Sequence, residues 1–225
     1  MTKEIEYIKQ AVSDLLGNNK HGHDDKHVFR VYKTAMKFCD EIPNANRELV
    51  AVAALLHDCD DYKIFGEESE RLQTNTRRIL SDSGFDTDFC EKCIDIIKHM
   101  GYSNRLKGIK PTCIEGQIVS DADMCDATGL ICVTRAMECR AGVPFFIADC
   151  LPAANLTPES YRQDFSTPVI HHFFHKVLRL RNLASTEPGR RYLENKHQTV
   201  VNFLKTYFDE VNAPEEWYTL LEQYE

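Results

Sequence analysis

Residues 47–61 have the sequence RELVAVAALLHDCDD, an apolar run that ends in a histidine and acidic residues. Three small apolar residues of this run occupy helical positions i, i+3 and i+4: Val50, Ala53 and Ala54. His57 follows at i+7, on the stripe that a helix turns toward the protein interior. Asp58 places a carboxylate beside that imidazole. The spacing therefore predicts a buried helix over Arg47–Cys59 that carries a His-Asp pair inward.

Helical periodicity recurs along most of the chain. The predicted helices are Glu4–Leu16, Asp24–Ile42, Glu67–Ser83, Asp86–Met100, Cys113–Arg140, Val169–Leu183, Pro188–Val211 and Pro214–Tyr224. The stretch 141–168 holds four of the eight prolines and is predicted to be an irregular loop or lid. The sequence has no internal repeat, low-complexity tract or linker. We therefore expect an all-α fold, a single-domain helical bundle.

Composition limits the class of protein. A chain of 225 residues with 43% hydrophobic and 28% charged residues is typical of one large globular domain and excludes disorder as its main state. Ten glycines and eight prolines are too few for a chain of many short strands. The net charge of −8 argues against a large surface for nucleic acid or anionic lipid. A phosphate ligand would therefore need a metal ion or a few local basic residues.

The N-terminus and the cysteines indicate a cellular compartment. The chain begins MTKEIE, without an apolar signal core, and its longest apolar stretch, Ala51–Leu56, is too short to span a bilayer. The nine cysteines are odd in number and scattered through helical patterns, so we expect reduced thiols. Cys90 and Cys93 lie inside a predicted helix without a second pair to complete a zinc site. These features predict a cytoplasmic protein.

Further polar residues fall on predicted buried faces. His27 precedes Val31 by four residues and Ala35 by eight. Three carboxylates crowd into six positions of an otherwise apolar helix: Asp121, Asp123 and Asp126. Each residue alone is more typical of a hydrogen-bonded core residue or a helix cap. Together they favour a divalent cation bound by two imidazoles and two carboxylates, because buried charges cost several kcal/mol unless they are paired or ligated.

These motifs resemble a known family. The segments HVFRV at 27–31, LLHD at 55–58 and DADMCD at 121–126 are similar to the H…HD…D signature of the HD-domain metal-dependent phosphohydrolase superfamily. Four other features resemble its small stand-alone bacterial branch, the YedJ/YpgQ-like hydrolases: HDDKH at 23–27, Gly129 with Arg135, HFFHKVLRL at 172–180 and TEPG at 186–189. Met124-Cys125 departs from the Arg-Leu that is usual there, and 141–168 matches poorly. The resemblance implies one HD-type helical domain over 1–225, with a metal core at about 23–140, a lid or insert at 141–168 and C-terminal helices at 169–225.

The resemblance also implies a metal site. One divalent ion would be bound by four residues: His27, His57, Asp58 and Asp123. Asp121 is the alternative fourth ligand. If Asp123 is the ligand, Asp121 and His23 are expected to contact the ligands and not the metal ion. Two-metal members of the superfamily carry extra histidines before the last aspartate, and here only His99 is available, which favours one ion. Mn²⁺ or Mg²⁺ is favoured, with Co²⁺, Ni²⁺, Zn²⁺ and Fe²⁺ left open.

The chemistry expected of such a site is hydrolysis by metal-activated water. Asp61 is the first candidate to move a proton, and Asp126 is the second. Lys63 is expected to neutralise phosphate charge, although a solvated turn explains Asp61 and Lys63 equally well. Three further residues are candidates for substrate binding: Arg30, Lys176 and Arg179. Arg30 has an alternative role, which is to pair with an acidic residue behind the ligands.

Three histidines at i, i+3 and i+4 spacings could bind zinc on a helix: His171, His172 and His175. They lack the glutamate of a metalloprotease motif, so a structural or substrate-side role is favoured. His197 has no assignable role.

The sequence therefore predicts a divalent-metal-dependent phosphohydrolase. The resemblance favours cleavage of a nucleoside triphosphate to monophosphate and pyrophosphate, ahead of nucleotide 5′-dephosphorylation and alarmone hydrolysis. The alternative class is a non-catalytic sensor of metal or nucleotide. Catalysis is favoured because the ligand set is complete and no partner domain is fused. The expected partner is a small nucleotide or phosphate compound, with no long nucleic acid and no membrane; homodimer formation is left open.

Overall fold

The computed structural model describes residues 2–17, 24–154, 157 and 166–225, and the regular elements of these ranges are all helical, as predicted. In chain order they are α1 (Lys3–Leu16), α2 (Asp25–Glu41), α3 (Arg47–Leu56), α4 (Tyr62–Leu72), α5 (Thr74–Ser83), α6 (Thr87–Lys98), α7 (Tyr102–Leu106), α8 (Ile114–Asp126), α9 (Leu130–Cys139), α10 (His171–His175), a 3₁₀ helix (Val177–Leu183), α11 (Glu187–Val211) and α12 (Glu215–Glu222).

Side-chain caps fix where several of these helices begin. The Asp24 carboxylate accepts a hydrogen bond from the His27 backbone N–H and starts α2. The Asn46 side chain accepts from two backbone N–H groups of the first turn of α3, and the Asp86 carboxylate accepts from the Phe89 N–H at the start of α6. Such caps satisfy backbone donors that have no partner within the helix. They therefore set the register in which α2 and α3 present their histidines.

The first of two hydrophobic clusters surrounds α3. Every residue from Leu49 to Leu56 is buried, because α3 packs against α1, α2, α6 and α8. Burial on all sides explains why this segment is apolar almost throughout. α3 therefore ends in the interior, where His57 forms its C-terminal cap.

The second cluster gathers α9, α10, the 3₁₀ helix and α12 around α11. Trp217 of α12 is fully buried there among aromatic rings, and its indole Nε1–H donates to Ala148 O at 2.8 Å. α11 contributes Leu193 to the first cluster and Val200, Leu204 and Phe208 to the second. This long helix therefore joins the two clusters.

Several predicted helices end at different residues in the structure. The helix expected over Cys113–Arg140 is two helices, because the chain turns at Gly129, whose φ of +89° is a glycine-favouring conformation. The helix expected over Glu67–Ser83 divides at Gln73, which has φ of +56°. Its first part follows a break at Gly66, whose φ of +81° separates Glu67 from the helical turn that begins at Tyr62. The helix over Arg47–Cys59 ends three residues earlier, at Leu56. Val169–Leu183 divides into α10 and the 3₁₀ helix, and the short helix α7 was not predicted.

Other predictions concern the loop, the thiols and the membrane. The described part of 141–168 is irregular, as predicted, and the remainder of that stretch and His23 lie outside the described residues. All nine cysteines are free thiols, as predicted. In the part of the chain that the structure describes, no helix has the length and apolar character needed to cross a bilayer.

Candidate metal centre and adjoining cleft

Four side chains converge at one buried point. His27 comes from α2, His57 and Asp58 from the end of α3, and Asp123 from α8. The Nε2 atom of His27 lies 3.2 Å from His57 Nε2, 3.3 Å from Asp58 Oδ2 and 3.4 Å from Asp123 Oδ1. His57 Nε2 lies 3.6 Å from Asp58 Oδ1 and 3.8 Å from Asp123 Oδ1. The four residues that the sequence selected as ligands therefore lie together.

Both imidazoles direct Nε2 to this point because Nδ1 bonds elsewhere. His57 Nδ1 lies 2.9 Å from Ala54 O, which can only accept, so Nδ1 carries the proton. His27 Nδ1 lies 2.7 Å from Asp126 Oδ2 and donates to that carboxylate. A neutral His27 would thus aim its Nε2 lone pair at the His57 lone pair and at carboxylate oxygens. This arrangement is stabilised by a cation at the shared point.

The electrostatics of His27 indicate the same need for positive charge. Burial alone would lower its pKa, but hydrogen bonds with Asp123, Asp126 and Asp58 outweigh burial and raise the pKa to about 10. In the absence of a metal ion, a proton therefore supplies the charge. His27, His57 and Asp123 each offer one ligand atom within 4.8 Å of the others. Two imidazole nitrogens with carboxylate oxygens suit a divalent ion of the Mn²⁺, Fe²⁺ or Zn²⁺ kind, so the residues fit the expected metal.

Helix geometry separates Asp123 from its rival Asp121. Successive residues of an α-helix differ by about 100°, so side chains two positions apart point to nearly opposite sides. Asp123 faces the two imidazoles, whereas Asp121 is fully buried on the other side of α8. The Asp121 carboxylate accepts from Ser185 N at 3.0 Å and from Thr186 N and Oγ1 at 2.7 Å each. Asp121 thus holds the N-terminus of α11, where the helix dipole favours an anion.

Asp126 forms the support behind His27. Its Oδ2 accepts from His27 Nδ1 at 2.7 Å, from Arg30 Nη2 at 2.9 Å and from Arg135 Nη1 at 2.9 Å, and its Oδ1 accepts from Arg30 Nε at 2.7 Å. Burial would raise the pKa of Asp126, but the bonds from His27 and Arg30 outweigh it and hold the carboxyl well below its usual range. The structure thus places Asp126 against His27 and Arg30 against Asp126, and neither Asp126 nor Arg30 lines the adjoining cleft. Such carboxylate-histidine pairs fix the tautomer of metal ligands.

A cleft of about 580 Å³ opens beside the metal-binding residues. Its size is that of pockets that enclose small organic ligands. The acidic residues that line it are Asp58, Asp61, Glu70 and Asp123, and the cationic ones are Lys63, Arg135, Arg140 and Lys176. The local basic residues that a phosphate ligand requires are therefore present despite the net negative charge of the chain.

The predicted substrate-side residues divide between the cleft and other places. Asp61, Lys63 and Lys176 line the cleft. Asp61 also caps α4, because its Oδ1 accepts from Lys63 N at 2.8 Å. Arg179 instead donates from Nε to Phe174 O at 2.8 Å and from Nη2 to Ala154 O at 3.3 Å, and it is not a lining residue. Its position is that of a residue that holds the loop 141–154.

Four other histidines of the described residues lie outside the cluster of His27, His57, Asp58 and Asp123. His172 lines the cleft, whereas His171 Nε2 lies 2.7 Å from Cys150 O and ties the loop to α10. His99 Nδ1 lies 2.7 Å from Asp95 O, away from the metal-binding residues. Within the described ranges, His27, His57 and Asp123 make up the one group of potential ligands, so His171, His172 and His175 form no such group.

Two lining arginines were missed as site residues. Arg135 was noted only as part of a family motif, and Arg140 was taken as the end of a helix. Both lie on or directly after α9, whose inner face also presents Cys132, Ala136 and Cys139 to the cleft. The signal available in the sequence was the spacing of these residues along one helical stripe.

Comparison with known proteins identifies the class. A profile of the HD domain family matches residues 24–128. The chain is 31% identical over 205 residues to YpgQ of Bacillus subtilis, covering 90% of this chain and 91% of that protein. The chain therefore belongs to the HD-domain family and is a metal-dependent phosphohydrolase.

Solved structures agree with this membership. A Lactobacillus plantarum crystal structure has a TM-score of 0.83 at 25% identity, covering 95% of this chain and 100% of that one. An HD-superfamily hydrolase from Bacillus thuringiensis has a TM-score of 0.70 at 25% identity, covering 94% and 98%. Bacillus subtilis YpgQ in complex with ADP has a TM-score of 0.69 at 25% identity, covering 92% and 95%.

Proposed function

We propose that this phosphohydrolase cleaves nucleoside triphosphates to nucleoside monophosphate and pyrophosphate. One divalent ion, held by His27, His57, Asp58 and Asp123, would serve the reaction. The observation that carries the proposal is the charge content of the cleft, which is lined by the carboxylates of Asp58 and Asp123 and by four cationic residues, Lys63, Arg135, Arg140 and Lys176. The ADP complex of the related YpgQ supports a nucleotide as the ligand.

The reaction joins a water oxygen to the α-phosphorus and breaks the bond to the oxygen that bridges to the β-phosphorus. A divalent ion supplies positive charge for a phosphoryl oxygen and lowers the pKa of a water molecule. Asp61 is assigned to accept the proton of the attacking water and to release it to solvent. Asp126 and Arg135 orient His27, and Lys63 and Lys176 bind the phosphates. Pyrophosphate leaves with the bonding electron pair.

The assignment of Asp61 can be separated from its structural role. Asparagine caps a helix as well as aspartate does, so Asp61→Asn keeps the start of α4 while it removes the base. Turnover should fall by about 10² to 10⁴, the range typical of general acid-base catalysis, with metal content unchanged. Asp86→Asn is a matched control, because Asp86 caps α6 in the same way and does not line the cleft.

A nucleotide panel tests the reaction. The protein with added Mn²⁺ or Mg²⁺ is incubated with nucleoside tri-, di- and monophosphates and an alarmone, and the phosphate products are separated. Pyrophosphate from triphosphates is the expected result, with about one metal ion retained per chain. Orthophosphate from monophosphates would assign the chain to 5′-dephosphorylation. Pyrophosphate from the alarmone alone would assign it to alarmone hydrolysis.

A further inference from the structure

The cleft that adjoins His27, Asp58 and Asp123 is lined in part by a wall of basic residues. Four residues form this basic wall: Lys63, Arg140, His172 and Lys176. They come from three segments that are far apart in the sequence, namely the first turn of α4, the residue after α9, and α10 with the residue that follows it. The fold therefore assembles the wall, and no local sequence run accounts for it.

The wall residues lie close to one another. Burial lowers the pKa of His172 well below its ordinary value, and the charges of Lys176, Arg140 and Lys63 lower it further. The positive charges of these three residues therefore act on the His172 imidazole. Arg140 Nη1 donates to Thr167 O at 3.2 Å, and Lys176 Nζ lies 5.8 Å from the centre of the Tyr102 ring. These contacts hold the two side chains at the cleft.

Such a wall matches an anion with several charged oxygens. Cationic donors around an anion form charge-assisted hydrogen bonds, which are about twice as strong as neutral ones. A neutral imidazole among them adds a donor without adding charge. A monophosphate offers one phosphate group to these donors, whereas a longer phosphate chain offers charged oxygens on several phosphate groups and so can contact more of them.

We propose that the basic wall is a subsite for the pyrophosphate part of a nucleoside triphosphate, through which Arg140 and Lys176 select substrates by their number of phosphates. This inference rests on the proposed function. The wall retains the leaving pyrophosphate during cleavage, so free pyrophosphate is a competitive inhibitor. The nucleoside part of the substrate lies outside the wall.

Product inhibition of the metal-loaded protein tests the subsite. Inorganic pyrophosphate and a nucleoside monophosphate are titrated against Arg140→Gln, Lys176→Gln and the parent at saturating Mg²⁺. Each substitution should raise the inhibition constant for pyrophosphate about tenfold and change that for the monophosphate less than twofold. The preference for triphosphate over diphosphate should fall by a similar factor. Arg179→Gln is the control, because Arg179 does not line the cleft.

Two features keep the outcome decisive. Arg140→Gln also removes the hydrogen bond from Arg140 to the backbone oxygen of Thr167. Lys176→Gln leaves that hydrogen bond in place and therefore repeats the test independently. Removal of metal by pyrophosphate in solution would affect every variant alike. Unchanged pyrophosphate inhibition in both variants would overturn the subsite even if triphosphates are hydrolysed. Calorimetry of pyrophosphate binding separates a failure of the proposed reaction from a failure of the subsite. If the parent binds pyrophosphate but cleaves no triphosphate, and both variants lose the binding, the subsite is correct and the proposed reaction is wrong.

Discussion

Asp126→Asn tests whether the carboxylate behind His27 controls metal affinity. The substitution keeps the size of the side chain and replaces one oxygen by an NH₂ group. If the NH₂ takes the Oδ2 position, it meets three donors, from His27, Arg30 and Arg135. If it takes the Oδ1 position, it meets only Arg30 Nε. The second orientation is favoured, and His27 then keeps an acceptor that is neutral.

The expected loss of metal affinity follows from that orientation. The neutral amide holds the Nδ1–H of His27 less strongly, and it removes a negative charge that partly offsets the positive charges of Arg30 and Arg135 beside the cluster. Substitution of such partners of metal-bound histidines typically weakens metal binding 10- to 100-fold, or about 1.4 to 2.8 kcal/mol. We expect this range for Asp126→Asn.

Competition between the protein and a chelator of known affinity measures the effect with Mn²⁺. Asp88→Asn is the matched control, because Asp88 pairs with Lys92 on the surface of α6. Circular dichroism establishes that the variant is folded. Mn²⁺ affinity within twofold of the parent in a folded variant would refute the argument that Asp126 tunes His27.

Three other predictions have defined outcomes. Asp123→Ala should abolish metal retention in elemental analysis, whereas Asp121→Ala should keep the metal. Asp121→Ala should instead lower the melting temperature, because it leaves the N–H groups of Ser185 and Thr186 without the carboxylate that accepts from them. The opposite pattern of metal retention would make Asp121 the ligand. Gly189→Ala should lower the free energy of unfolding by about 1 to 2 kcal/mol in urea titrations, since the new Cβ would lie 2.7 Å from Asp121 Cβ. An unchanged free energy of unfolding would show that α11 can shift to accept the methyl group. Burial lowers the pKa of His197 below its ordinary 6.5, so the unfolded chain binds more protons and the folded state should lose stability as the pH drops below about 6.5. His197→Gln should make the urea midpoint of unfolding differ less between pH 7.5 and pH 5.5. An unchanged difference would contradict the role of His197 in this pH dependence.

The sequence predicted the existence of the helices better than their ends. Apolar periodicity reports which faces are buried, and it continues across the break between α8 and α9 because both helices bury residues there. The break itself depends on the positive φ of Gly129, which a single glycine in an apolar pattern does not predict. Gln73 is harder still, because a non-glycine residue with positive φ carries no distinctive signal.

The sequence could predict those site residues that are polar side chains in positions expected to be buried. His27 and His57 were found because imidazoles on apolar stripes need partners, and the structure brings them together as expected. Arg140 carried no such conflict, since an arginine at a helix end is ordinary. Its spacing from Cys132 and Arg135 places it on the same stripe of α9, but that this stripe lines the cleft depends on how α9 packs against segments distant in sequence.

The aspartates of α8 explain why the sequence left the fourth ligand open. All three lie in a largely buried stretch and are the same residue type, yet each carboxylate contacts a different set of groups. Asp121 satisfies the start of α11, Asp126 satisfies His27 and two arginines, and Asp123 remains to face the two Nε2 atoms. The outer two are held by hydrogen bonds from other elements, and they therefore fix the rotation of α8 about its axis. That rotation directs the Asp123 carboxylate toward the two Nε2 atoms, so its placement depends on its neighbours on the helix as much as on its own residue type.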